Sequence, residues 1–233
     1  MRTLVVTGGS KGIGLATAEL FAANGYRIVN LSRSAIPLPG AIQLSVDMAE
    51  PGWAELHAPA VLAALGDSAQ LVVVHNAAWL SKDRVEDLDG TRLARVLQIN
   101  VVAPQQLNRI LLPRMGSGSA IVYVGSTLGE KAVAGSCAYV VSKHALLGLM
   151  RATCQDLAGR GIHTACVCPG FTDTEMLRAH VGQDAGILGA LARGVTFGRL
   201  IEPGEVARTI LFCAENPVIN GAVIHANLGQ VEH

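Results

Sequence analysis

Seven short apolar runs punctuate the chain, at 3–7 (TLVVT), 27–32 (RIVNLS), 42–46 (IQLSV), 71–75 (LVVVH), 119–125 (SAIVYVG), 162–168 (IHTACVC) and 222–226 (AVIHA). They are continuous rather than alternating and rich in Val and Ile, the pattern of strands buried on both faces. Helix-like stretches near 12–24, 53–65, 88–113, 136–159 and 203–215 lie between them. Strand and helix in alternation, with short joins, predict an α/β fold. The sheet is expected to be parallel, with seven strands, doubly wound, and with helices on both faces. No repeat, low-complexity tract or linker interrupts the pattern, so residues 1–233 are expected to form a single domain.

Residues 171–202 depart from the alternation. They are too many for a simple join inside a compact domain, and such segments serve as lids or are disordered. Met176, Leu177, Val181, Ile187, Leu188, Leu191 and Phe197 supply apolar surface and argue against disorder, so a lid is expected here.

Composition narrows the function. Half of the 233 residues are hydrophobic, 15% are charged, and the formal net charge is zero. A nucleic-acid footprint would need clustered basic surface, which is absent. The five cysteines (Cys137, Cys154, Cys166, Cys168 and Cys213) form no C-x-x-C pair and read as reduced, buried small hydrophobes. Cys166 and Cys168 fall on the same side of their strand. The N-terminal apolar run is too short for a signal peptide or a membrane span. Together these readings place the protein in the cytoplasm. His75 and His225 sit on strands without metal-ligand spacing, and no metal site is expected.

The first strand runs into "TGGSKGIG", where Gly8, Gly12 and Gly14 are spaced G-x-x-x-G-x-G ahead of a helix. Glycines there permit a tight turn, close approach of backbone to a pyrophosphate, and close packing of helix on sheet. The free N–H groups at the helix start favour an anion. This strand–turn–helix predicts a dinucleotide site, with Ser10, Lys11 and Ile13 in the turn. An acidic residue about 20 positions on would hold the ribose 2′-hydroxyl of NAD. The second strand ends instead in Ser32 and Arg33, and Arg33 can pair with a 2′-phosphate while Lys11 adds a second cation. Either could also be an ordinary solvated charge. The absence of a carboxylate makes NADP(H) the expected cofactor, with NAD(H) the weaker alternative.

"SCAYVVSKHALLG" places Tyr139 and Lys143 four residues apart on a helix, on one face. A tyrosine hydroxyl ordinarily titrates near 10, too high for proton transfer at neutral pH. A nearby ammonium favours the ionised form, and desolvation opposes it. The pair reads as a general acid/base, or as a snorkelling lysine beside a packed aromatic.

In order along the chain come "TGGSKGIG", "NAA" at 76–78, Asn100 in "QINVVAP", Ser126 in "VGSTLG", "YVVSK" at 139–143 and "PGFTDTEM" at 169–176. This ordered set resembles the single-domain short-chain dehydrogenase/reductases over essentially the whole chain. Ser126 stands thirteen residues before Tyr139, the spacing usual in that family. The resemblance implies a Rossmann-like fold and oxidoreductase activity on a carbonyl or alcohol. It assigns Tyr139 as acid/base, and Ser126 as the hydrogen-bond donor to the reacting oxygen. Lys143 would lower the tyrosine pKa and hold the ribose hydroxyls. Asn100 would anchor a water that links Lys143 to solvent. It also places Asp47 at the adenine, where an alternative is a cap for the helix after "AEPG", and Asn76 and Ala77 beside the adenosine. Pro169, Gly170, Thr172 and Thr174 fall at the nicotinamide, where Thr174 can equally cap the first lid helix.

Two positions depart from the family pattern: Ala78 where a glycine is usual, and Asn227-Leu228-Gly229 where an aspartate and two glycines are usual. By the same resemblance, the substrate meets the lid and the loops 127–138 and 79–84. The candidates there are Trp79, Leu128, Cys137, Phe171, Met176, Leu177 and Leu188, beside Ser126. That apolar set predicts a small, largely uncharged carbonyl or alcohol. Arg178, His180 and Arg193 leave room for one negative group, so a carboxylate or an acyl-carrier thioester stays open. An NAD(H)-dependent alcohol or diol dehydrogenase and a non-catalytic dinucleotide sensor are the rival readings. No nucleic acid or membrane partner is expected. The long helices near 88–113 and 136–159 resemble those that pair subunits in the family, which predicts a homodimer or homotetramer.

Overall fold

The computed structural model describes residues 2–68, 70–182 and 184–231. Gln183, inside the expected lid, lies outside the described residues, as do Met1, Ala69, Glu232 and His233. The strands are β1 (Arg2–Thr7), β2 (Arg27–Ser32), β3 (Ile42–Ser45), β4 (Gln70–His75), β5 (Ala120–Val124), β6 (His163–Pro169) and β7 (Ala222–Ala226). They form one sheet in the order β3-β2-β1-β4-β5-β6-β7, every adjacent pair parallel. The chain winds outward from β1 to β3, returns to β4 on the other side of β1, and winds outward again. That reversal opens a crevice beyond the C-terminal ends of β1 and β4, where ligands bind in such sheets.

Period-two alternation divides the inner strands between two cores. Leu4, Val6, Val72, Val74, Val122 and Val167 point to the face covered by α1 (Gly12–Ala23) and α8 (Pro203–Glu215), where Phe21, Val206 and Ile210 meet them. Val5, Leu71, Val73, Ile121 and Tyr123 point the other way, toward α2 (Trp53–Leu65), α4 (Ala103–Leu111) and α5 (Cys137–Asp156). There they pack on Trp53, Val61, Leu107, Leu111, Leu146 and Met150. Burial on both faces is why these strands read as unbroken apolar runs.

The stretch 88–113 is not one helix. It is α3 (Gly90–Leu97), a π-helical turn over Gln98–Val102, then α4. The Ala103 N–H reaches back five residues to the Gln98 carbonyl. Two causes are visible. Pro104 has no N–H to give the Asn100 carbonyl, so the regular four-residue bond is missing there. The Asn100 side chain is also clamped from outside, by Trp79 and Ser142.

The expected lid folds as two short helices, α6 (Glu175–Val181) and α7 (Ala185–Arg193), begun by the side-chain caps of Thr174 and Asp184. The C-terminal segment straps its far end: Thr196 N–H donates to the Gly229 carbonyl and Val231 N–H to the Gly194 carbonyl, each at 2.9 Å. Within that segment Leu228 stands at φ 51°, the left-handed region. This is the position where the family has glycine, and a leucine there carries backbone strain of about 1–2 kcal/mol.

Candidate active site

One cavity of about 960 Å³ runs along the crevice. Its wall carries, from one end to the other, Gly8, Ser10, Lys11, Gly12, Ile13, Ser32, Arg33, Asp47, Asn76 and Ala77, then Ser126, Tyr139, Lys143, Pro169, Gly170, Thr172 and Thr174. Trp79, Leu128, Phe171, Met176 and Leu177 continue it under the lid. Cys137 and Leu188 do not line it, whereas Arg95, His180, Leu191 and Gln230 do.

The glycine turn is shaped by contacts that exclude a side chain. Gly8 takes φ 69°, and a Cβ on Gly14 would lie 2.3 Å from the Gly8 carbonyl oxygen, so Gly14 serves beneath the cavity and not on its wall. Asn76 staples the turn to β4 by donating from Nδ2 to the Thr7 and Gly8 carbonyls, 3.0 Å each. The Thr7 hydroxyl accepts the N–H groups of Asn76 and Ala77. Asn30, in the middle of β2, accepts the Gly9 N–H at 2.8 Å and donates to Ser32 Oγ at 2.7 Å. Sequence reasoning passed over Asn30, although a lone amide in an otherwise apolar strand was a readable signal.

At the end of β2, Ser32 is buried and its hydroxyl donates to the Ser34 carbonyl at 2.6 Å. Arg33 is exposed and makes no hydrogen bond or ion pair among the described residues. Lys11 is engaged, its ammonium bonded to the Glu175 carboxylate on α6. Asp47 accepts the Ala49 N–H at 2.9 Å. It closes its own turn, and α2 starts later, after Gly52. Thr174 caps α6 by accepting the Leu177 N–H at 3.3 Å. Thr172 is buried and donates to the Gly170 carbonyl.

At the centre, Tyr139 and Lys143 are both buried, and Lys143 Nζ lies 5.3 Å from the Tyr139 ring centroid. Lys143 Nζ also donates to the Val124 carbonyl at 2.8 Å, which seats it at the end of β5. Ser126 Oγ accepts the Leu128 N–H at 3.1 Å, leaving its own proton to donate elsewhere. Asn100 stands behind the cavity wall. Its Oδ1 accepts the Trp79 N–H at 2.8 Å, and its Nδ2 donates to the Trp79 carbonyl at 3.1 Å and to Ser142 Oγ at 2.9 Å. Both Nδ2 protons are used, while Oδ1 has taken one of the two hydrogen bonds an amide oxygen can accept. Ser142 and Asp83, which seat these elements, left no mark in the sequence pattern.

The cysteines are all free thiols, with Cys166 and Cys168 Sγ 3.8 Å apart on one side of β6. His75 Nε2 is bonded to Asn108 Oδ1 at 2.8 Å while Nδ1 is buried without a partner. Burial holds its pKa down to about 4. His225 pairs with Glu130 at 3.0 Å. No metal-binding cluster occurs among the described residues, and none of their helices is long and apolar enough to cross a membrane.

Comparison with known proteins agrees with this geometry. The model of the family described as enoyl-(acyl carrier protein) reductase matches residues 8–230. The chain belongs to the short-chain dehydrogenase/reductase family. It is similar to carbonyl reductase family member 4 of Danio rerio, 34% identical over 96% of this chain and 95% of that protein. It is also similar to the 3-oxoacyl-[acyl-carrier-protein] reductase of Rattus norvegicus, 29% identical over 96% and 95%. A short-chain dehydrogenase from Burkholderia cenocepacia solved in complex with NADP superposes with a TM-score of 0.87, at 28% identity over 98% of this chain and 97% of that one.

As a short-chain dehydrogenase/reductase, the chain is an oxidoreductase that uses a nicotinamide dinucleotide and acts on a small molecule. The phosphate turn fits that group. Lys11 at the start of α1 makes no side-chain cap, so the first N–H groups of the helix lack an internal acceptor, and Ser10 to Ile13 line the cavity. Gly12, at φ 56°, leaves room that a Cβ would fill to within 3.3 Å of Thr174.

Proposed function

We propose that this short-chain dehydrogenase/reductase interconverts a small, largely apolar carbonyl compound and its alcohol, with Tyr139 as general acid/base and NADP(H) as the preferred cofactor. The observation that carries the reading is the convergence of Ser126, Tyr139 and Lys143 on one cavity, with the lysine ammonium 5.3 Å from the tyrosine ring. The bound nicotinamide supplies or accepts the hydride. Tyr139 gives its hydroxyl proton to the carbonyl oxygen, or takes one from an alcohol. Ser126 donates a hydrogen bond to the same oxygen as negative charge develops. The Lys143 ammonium stabilises the tyrosine oxygen as its proton leaves and holds the ribose hydroxyls. Asn100 braces the Trp79 loop and anchors the water that returns a proton to Lys143.

Arg33 supports the NADP(H) preference, being a cation at the adenosine end with no partner among the described residues. Lys11 contributes once Glu175 yields it. Gly8, Gly14, Asn76 and Ala77 shape the turn, while Asp47, Pro169, Gly170, Thr172 and Thr174 line the remaining cofactor wall. Trp79, Leu128, Phe171 and Met176 select the substrate. The chain acts as one domain and assembles as a homodimer or homotetramer, and its free thiols suit the cytoplasm. A monomeric mass by light scattering would overturn the assembly.

A second reading of the substrate is a 3-oxoacyl thioester. Arg95 lies over the Trp79 ring at 5.8 Å on the cavity wall. Lys82 and His180 share an adjoining recess. Arg95 and Lys82 are cations that suit a phosphate-bearing carrier. Burial and the neighbouring Lys82 hold the His180 pKa down, so it serves as a neutral hydrogen-bonding group, and Arg178, committed to Asp173 at 2.7 Å, does not contribute.

The test is oxidation of NADPH and NADH against ketones, diketones, quinones, aldehydes and acetoacetyl-CoA, with Tyr139→Phe as control. NADPH-selective turnover lost in the variant supports the proposal. Better use of NADH overturns the cofactor preference, and turnover retained by Tyr139→Phe overturns the mechanism.

A further inference from the structure

Helix α5 carries Tyr139 in its first turn, yet its own N-cap residue, Ser136, makes no side-chain cap bond. The first N–H groups of a helix need acceptors, and buried ones need them most. Here they come from another part of the chain. Asp83, 3% exposed in the loop after β4, accepts the Ala138 N–H through Oδ1 at 2.8 Å. Its main-chain carbonyl accepts the Cys137 N–H at 3.3 Å, and its own N–H donates to the Gly135 carbonyl at 3.2 Å. The Ser81 hydroxyl donates to Asp83 Oδ2 and fixes the carboxylate. Negative charge at a helix N-terminus is also favourable in its own right.

The placement is specific. Ala138 is the residue immediately before Tyr139. The rest of α5 is held by Leu146, Leu147 and Met150 in the core and does not depend on the cap. The Asp83 loop begins at Trp79, which Asn100 clamps, and Asn100 also reaches Ser142 on α5. The π-helical turn is therefore tied to α5 twice, through the loop at the first turn and directly at Ser142.

We infer that Asp83 is a positioning residue: capping α5 from the neighbouring loop, it fixes where the Tyr139 hydroxyl stands. This rests on Tyr139 being the acid/base, so the test has one arm that does not depend on turnover. Hydrogen–deuterium exchange is measured on the full-length protein without cofactor. Asp83→Ala is expected to speed exchange of residues 137–142 by about fivefold, the factor a lost cap gives, with residues 146–156 unchanged. Asp83→Asn keeps an acceptor oxygen and is expected to restore most of the protection. In the second arm, Asp83→Ala is expected to lower kcat by about 10- to 100-fold, the scale of a small misplacement of a reacting group. Its NADPH affinity, read by fluorescence titration, should stay within about twofold, and Asp83→Asn should recover most of kcat.

Unchanged exchange at 137–142, or acceleration spread evenly along α5, would overturn the inference. So would an Asp83→Asn protein as impaired as Asp83→Ala. Should Asp83→Ala not fold, Ser81→Ala, which only releases Oδ2, is expected to give a smaller acceleration confined to 137–142, and none would be a refutation. If Tyr139→Phe keeps its turnover, the proposed mechanism fails and the exchange arm still decides the cap. If Tyr139→Phe is inactive while Asp83→Ala has normal kcat and normal exchange, only the present inference fails.

Discussion

The two ends of the cavity are built differently. At the nucleotide end, the polar side chains that shape the turn are occupied inside the protein: Asn30, Ser32 and Asn76 each make hydrogen bonds to neighbours, and Thr7 is shared by two N–H groups. At the substrate end the wall is a pair of short helices, with Met176, Ile187 and Phe197 exposed and an ion pair between Arg178 and Asp173 at the surface. A site fixed by internal bonds tolerates few changes and recognises one ligand shape. A site made of apolar side chains on short helices can be re-cut without unfolding the sheet. The nucleotide end is thus the more constrained part of the enzyme, and the lid the more adaptable.

Substitutions at the two ends, and at the chemistry between them, should separate by size. Tyr139→Phe stands at the boundary and should give the largest effect, a fall in kcat of about 10²- to 10⁴-fold, with NADPH affinity by fluorescence titration nearly unchanged. Loss of cofactor binding in that variant would place Tyr139 in the nucleotide half instead.

Behind the nucleotide wall, burial keeps His75 neutral in the fold, with its pKa held down to about 4 from 6.5. The unfolded chain takes the proton first, so stability is full above pH 6.5 and falls as pH drops toward 4, by roughly 3 kcal/mol in all. Denaturant melts across that range should show the slope, and His75→Asn should flatten it. An equal slope in the variant would put the acid sensitivity elsewhere.

Gly14→Ala forces a methyl to 2.3 Å from the Gly8 carbonyl oxygen. It should cost about 1–3 kcal/mol, as overpacking does, and weaken NADPH binding, although alanine is the better helix former. Arg33→Ala should lower the preference for NADPH over NADH by about 10-fold or more, the value of a charge-assisted bond. An unchanged ratio of kcat/KM values would refute its role. Smallest of all, Asp173→Asn on the lid should change stability by less than about 1 kcal/mol, since the pair is largely solvated, and should act on substrate KM alone.

Legibility in the sequence follows the same division. The seven strands were readable to within two residues at each end because each is a short run rich in apolar residues, the inner ones buried on both faces. The phosphate turn was readable because its glycines answer to local geometry. The break between α3 and α4 was hidden: apolar spacing continues across it, and its cause lies partly in a clamp from Trp79, 21 residues away. Asp83 was invisible for the same reason, its partner being 55 residues off in sequence. Of the two lid helices, the first and its Thr174 cap were readable, whereas the second, begun at Asp184, was missed because it is too short for a periodic signal.

The π-helical turn at Gln98–Val102 also limits how the gene for this chain can change length. It holds one residue more than a regular helical turn, and a deletion there would let α3 and α4 fuse into a continuous helix. The wide turn that presents Asn100 to the Trp79 loop would be lost with that residue, and Asn100 would leave its clamp. A codon removed from this stretch is therefore expected to be far more damaging than one removed from the mostly exposed 37–40 connection, even though neither encodes a group that touches the reacting oxygen.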